Sequence, residues 1–198
     1  MATPDKTQAR AKPARSRSGA KSKVRTPEEV ARAGFDALAK HDIDGVLANW
    51  SPEGVQDWVA VGVFRGHDEI RHLFAQVLAA TPDFEIVVDR VIADEDSACV
   101  QWRSSGTFTG APFMGIDPTG RTVELRGVDV MEVEDGLIVR NTVYYDGLAF
   151  ARGVGMIPVQ GSTAERALYT AFNATTRLRR AIQERTQGGG EHAEGDAG

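Results

Sequence analysis

The chain of 198 residues contains one cysteine, Cys99, so no disulfide can close within it and no thiolate metal cluster can form. Its four histidines show no metal-ligand spacing; His41, His67 and His72 fall at helix ends or on helix surfaces. No apolar run approaches the roughly 18 residues that cross a bilayer, and the N-terminus has no apolar core of the signal-peptide kind. Glycine-rich phosphate loops are missing as well, since the glycines fall at turns. Ser104 and Ser105 have no His–Asp partner pattern, which excludes a serine hydrolase. These absences point to a cytoplasmic protein with no metal, no cofactor and no membrane partner.

What is present is unevenly spread. The net charge is −5, yet residues 1–25 hold eight lysines and arginines against Asp5 alone. Such an arm can attach to nucleic acid or to an anionic surface. With Ala, Ser, Pro and Thr between its charges and no aromatic residue to stack on bases, it reads as a disordered, solubilising tail. Residues 188–198, rich in glycine and acid, read the same way.

Between these ends, 41% hydrophobic content suits one globular domain. Thr26-Pro27-Glu28-Glu29 is a capping box that opens a helix to about Lys40, with Val30, Gly34, Ala37, Leu38 and His41 on one stripe. Gly34 is costly there, and close packing against a neighbour is the expected reason. A short helix from Asp42 or Asp44 turns Ile43, Val46, Leu47 and Trp50 inward and ends at Ser51-Pro52-Glu53-Gly54. A third spans Asp68 to Ala80. Four strands follow, at about 84–93, 97–109, 121–133 and 137–145. Helices first and strands afterwards give an α+β domain with a mostly antiparallel sheet curved around its helices. A last capping box at Ser162 opens a helix to about Gln187. Its apolar stripe, Leu168, Phe172, Thr175, Leu178 and Ile182, is expected to dock on the domain or on a partner subunit.

Two acids break apolar alternations. In 121–133, Asp129 shares a face with Val123, Leu125, Gly127, Met131 and Val133. An unpaired carboxylate there costs several kcal/mol, roughly 2–7 even for a neutral polar group, so it is paired, protonated or on a cavity wall. In 55–61, Asp57 falls in line with Val55, Val59 and Val61. A register one residue off would turn Asp57 to solvent.

The helices, the curved sheet and the series TFTG…DPTGR…VELRGVDVMEVEDGLIV (Thr107 to Val139) resemble the nuclear transport factor 2-like superfamily. Within it the chain is most similar to SnoaL-like polyketide cyclases, over about Pro27 to Pro158. Ketosteroid isomerases, a second branch, imply Asp57 as the general base and Asp129 as a neutral acid in an oxyanion hole. The isomerase tyrosine falls at Gly34 or Phe35, and its supporting tyrosines are Trp50 and Phe74 here. The acid of SnoaL-like cyclases is matched by Val143, and their histidine by Asp129. The Asp-Arg-Asp set of limonene epoxide hydrolases is matched by Gln101, Arg103 and Val143, which excludes that activity.

The resemblance therefore implies a cone-shaped α+β domain over residues 26–158, with an extra helix over 159–187. It implies a polyketide- or steroid-like hydrophobic ligand, contacted by Phe35, Trp50, Phe74, Trp102, Phe108, Val143 and Tyr145. Asp57 and Asp129 would carry cofactor-free proton transfer beside a carbonyl, in a homodimer. The competing expectation is a ligand-binding or structural module that has kept the cone without catalysis.

Overall fold

A computed structural model describes residues 24–188; most of the expected basic arm and the tail after Gly188 lie outside the described residues. Arg25, the last residue of that arm, is anchored on the domain. Its guanidinium donates to Asn49 Oδ1 at 2.6 Å and to the Gly136 carbonyl at 2.9 Å.

Helix α1, Pro27–Ala39, begins as its capping box dictates. Thr26 Oγ1 accepts from the Glu29 amide, and the Glu29 carboxylate accepts from the Thr26 amide. Helix α2, Ile43–Leu47, is capped by Asp42, and α3 runs Gly66–Ala80. Strands β1 (Trp50–Trp58), β2 (Gly62–Arg65), β3 (Glu85–Ala93), β4 (Ser97–Thr107), β5 (Thr122–Glu134) and β6 (Leu137–Tyr145) form one sheet in the order β2-β1-β6-β5-β4-β3. Every pairing is antiparallel except β1 with β6. The β5–β6 hairpin turns at Asp135 and Gly136, with φ of 50° and 75°, the left-handed pair that matches strand twist.

The inner face of the curved sheet packs against α1 and α3. Val30, Ala31 and Phe35 of α1 and Ile70 of α3 meet Val100, Trp102, Met131 and Val143 in one core. A second cluster, Ala80, Phe108, Val123 and Val154, closes the far end. Each large side chain so buried is worth about 1.5–3 kcal/mol.

Three expectations need correction. Trp50 does not end α2; it opens β1, and Ser51 to Gly54 belong to that strand. The pairing with β6 jumps from Trp50–Ile138 to Val55–Arg140, an irregularity over Ser51 to Gly54, yet Trp50, Gln56 and Trp58 all line the inner face, so β1 keeps one parity inward throughout. A short helix, α4 (Gly147–Gly153), was not foreseen; Asp146 caps it. The last helix, α5 (Thr163–Gly188), forms as expected; of the two docking surfaces expected for its stripe, its own domain leaves these residues uncovered. Leu168, Phe172 and Leu178 are 45%, 67% and 63% exposed. The base of α5 is tied down where the buried Glu165 accepts from Arg152 at 2.7 Å.

Candidate active site

Between α1, α3, α4 and the sheet lies a cavity of about 140 Å³, roughly ten times the space one water requires. Phe35, Trp50, Phe74, Trp102, Phe108, Val143 and Tyr145 all line it. Gly34 lines it too, and a Cβ built there would meet nothing within 4 Å. The glycine thus leaves open space rather than admitting a close neighbour. Phe113 and Phe150 meet edge to face across part of the wall, with ring centroids 6.5 Å apart.

Asp129 is the acid on this wall, 7% exposed. The β5 alternation puts it there, as the sequence implies. What the sequence pattern missed is how it is held. Trp102 pairs with Gly127 across β4 and β5, and any Cβ at position 127 would run into the Trp102 ring. Glycine lets the indole lie over β5 and reach one pair along. Trp102 Nε1 then donates to Asp129 Oδ1 at 2.6 Å, and Asn141 Nδ2 donates to Oδ2 at 2.6 Å. No arginine is paired with it among the described residues.

Burial raises the Asp129 pKa to about 6, outweighing the two hydrogen bonds that favour the charged form. The indole N–H can only donate, so the site is built around a proton-accepting oxygen pair. This differs from the neutral donor implied by the isomerase resemblance. At neutral pH the group is mostly carboxylate, close to the protonation midpoint that suits a general base.

Asp57 is not at the cavity. Cross-strand register places it in a row with Thr142, Val130, Cys99 and Ile92 on the outer face, where Val130 and Ile92 are 41% and 54% exposed. Its carboxylate lies 3.9 Å from Arg140. The residue turned inward is Gln56, 3% exposed, whose Oε1 accepts from Asn141 Nδ2 at 3.1 Å. Trp58, two residues on, also lines the cavity and packs on Tyr145 at 5.8 Å between ring centroids. The two acids are therefore not brought together; Asp129, Asn141 and Gln56 are. Asn141 had a legible signal, being polar on the inner alternation with Val143 and Tyr145. Gln56 had none, because Val55, Val59 and Val61 made the opposite face of this stretch look like the apolar one.

A curved sheet closed by helices over an apolar cavity with one buried acid defines a class of small-molecule pocket proteins. A model of the SnoaL-like domain matches residues 31–141, and the chain belongs to that family, within the nuclear transport factor 2-like superfamily. No curated protein matches the chain. Among solved structures it is similar to AclR, a candidate hydroxylase from Streptomyces galilaeus, at 21% identity and a TM-score of 0.61, over 81% of this chain and 96% of that one. A candidate SnoaL-like polyketide cyclase from Jannaschia sp. CCS1 gives 21% identity and a TM-score of 0.62, over 71% and 100% of the two chains. IdmH, a candidate polyketide cyclase from Streptomyces antibioticus, gives 21% and 0.57, over 66% and 99%. At such identities the likeness establishes the fold, and the chemistry rests on the site.

Proposed function

We propose that the protein binds a hydrophobic, polyketide- or steroid-like molecule in this cavity and catalyses proton transfer beside a carbonyl, with Asp129 as the base. The observation that carries this reading is the placement of Asp129. It is a carboxylate buried in an apolar cavity, oriented by two N–H donors, held by no cation and poised near pH 6. Burial raises the cost of keeping it charged, and taking a proton from carbon relieves that cost. No metal or cofactor enters this chemistry.

A second reading, a binding module without turnover, is favoured by one observation: Asp57 lies outside the cavity, so the two-acid set of the isomerases is not assembled. The same experiment separates the two. An enolisable bicyclic ketone, 2-tetralone, is incubated with the protein in D₂O and exchange at its acidic carbon is followed by NMR. Exchange above buffer, lost by roughly 10²-fold or more in Asp129→Asn, supports the enzyme. Binding without accelerated exchange, or exchange unchanged in the variant, removes it and leaves the module. Exposed Val87, Val130 and Tyr144 support the expected homodimer, which sedimentation tests.

A further inference from the structure

When a base removes a proton from carbon, the C–H pair becomes a C=C bond and the carbonyl pair moves onto oxygen. That oxygen gains charge and needs a fixed donor. The buried amide of Gln56 meets this need. Its Oε1 is occupied by Asn141, and the same Asn141 nitrogen holds Asp129 Oδ2, so one side chain fixes both groups. Gln56 Nε2 has no acceptor among the described residues, yet it is not among the fully enclosed unpaired atoms. What surface it keeps belongs to a residue that lines the cavity. The indole N–H of Trp58, next on the same inner face of β1, and the Asn141 Oδ1 acceptor also lack partners but are fully enclosed, so neither is presented to a ligand. The unpaired Gln56 donor on this wall calls for an acceptor oxygen, and the apolar lining calls for a hydrocarbon frame around it.

We infer that Gln56 binds the ligand's carbonyl oxygen, with Asn141 as the positioning residue that turns its N–H into the cavity, and that the ligand is an apolar ketone with an acidic C–H beside the carbonyl. The inference rests on the proposed role of Asp129. The proton goes from carbon to Asp129, the enolate oxygen accepts from Gln56 Nε2–H, and return of the proton to carbon restores the carboxylate. No oxidant or reductant is required.

The test uses the full chain with two probes, 2-tetralone and its hydrocarbon counterpart tetralin. Binding is read by tryptophan fluorescence, since Trp50, Trp58 and Trp102 all line the cavity. The carbonyl stretch of bound 2-tetralone is read by infrared difference spectroscopy. Expected are a red-shifted carbonyl band on the wild type and loss of that shift in Gln56→Met. That variant should bind tetralin normally, bind 2-tetralone about tenfold more weakly and exchange its deuterium roughly 10²-fold more slowly. Asp129→Asn should lose exchange and keep the band shift. An unshifted band on the wild type overturns the inference without any variant, as does a shift that survives Gln56→Met. Exchange that persists in Asp129→Asn strikes the base and leaves the band to decide Gln56. Failure of the wild type to bind either probe overturns both.

Discussion

Strands β1 and β5 each carry an aspartate that the alternation places among apolar residues, and the sheet treats the two in opposite ways. In β5 eleven residues, Thr122 to Glu132, run with unbroken pairing to β4, and Asp129 ends up buried with two donors. In β1 the pairing to β6 is interrupted between Trp50 and Val55, and Asp57 ends up on the outer face. A strand's period is two, so any odd displacement exchanges its faces. Trp50, Gln56 and Trp58 hold the inner positions of β1, so Asp57 falls on the opposite parity; the difference between a candidate base and a surface acid is made by that parity, not by the acids themselves.

The contrast is broken most severely by removing what orients the β5 acid. Trp102→Phe keeps a ring over Gly127 and deletes the donor to Oδ1. A buried charge that loses a hydrogen bond, in a pocket that also loses ring volume, is expected to cost about 3 kcal/mol at pH 7. Urea denaturation measures it. The loss should shrink at pH 4, where the protonated acid no longer needs the donor as a charge partner.

A slightly smaller effect sharpens the comparison through pH. The folded Asp129 titrates at about 6, above its ordinary value of 3.8. The folded state therefore binds this proton more tightly than the unfolded chain. Its stabilisation is complete below pH 3.8 and is lost as pH rises through 6, about 3 kcal/mol for a shift of this size. Asp83, Asp94 and Glu165 have lowered pKa values from hydrogen bonds and act in the opposite sense, losing stability as pH falls. The quantity to measure is thus the difference between wild type and Asp129→Asn, which should fall with rising pH between 4 and 7. A flat difference curve contradicts the buried, shifted carboxylate.

The same contrast explains what the sequence could convey. The inner face of β5, the hairpin turn, the capping box at Thr26 and the α+β order all follow from local periodicity and turn chemistry, and the fold carries them as expected. Phe35, Trp50, Phe74 and Val143, which the family resemblance nominated, line one cavity with Trp102, Phe108 and Tyr145, because the resemblance carries register that periodicity lacks. The Trp102–Asp129 bond spans 27 positions and depends on Gly127 lying under an indole, a contact no local pattern encodes. Gln56 was hidden because Val55, Val59 and Val61 put the apolar signal on the other face of β1. In α5 the apolar stripe was legible, but a helical period says which face is apolar and not what covers it.

The smallest effect comes from the β1 acid. Asp57 is one-third exposed and 3.9 Å from Arg140, itself 41% exposed and shared with Glu132 at 4.0 Å. Exposed pairs of this geometry contribute about 0–1 kcal/mol, because water screens the charges and two flexible side chains must be ordered. Asp57→Asn should therefore shift the urea midpoint by less than about 1 kcal/mol and leave 2-tetralone exchange at the wild-type rate. It should also keep the pH slope that Asp129→Asn removes, since the slope arises from the β5 carboxylate alone. The alternative is specific: if β1 were shifted by one residue so that Asp57 faced the cavity, Asp57→Asn would abolish exchange and Gln56→Met would not. The two variants together decide the register of β1, and with it which side chain of that strand meets the ligand.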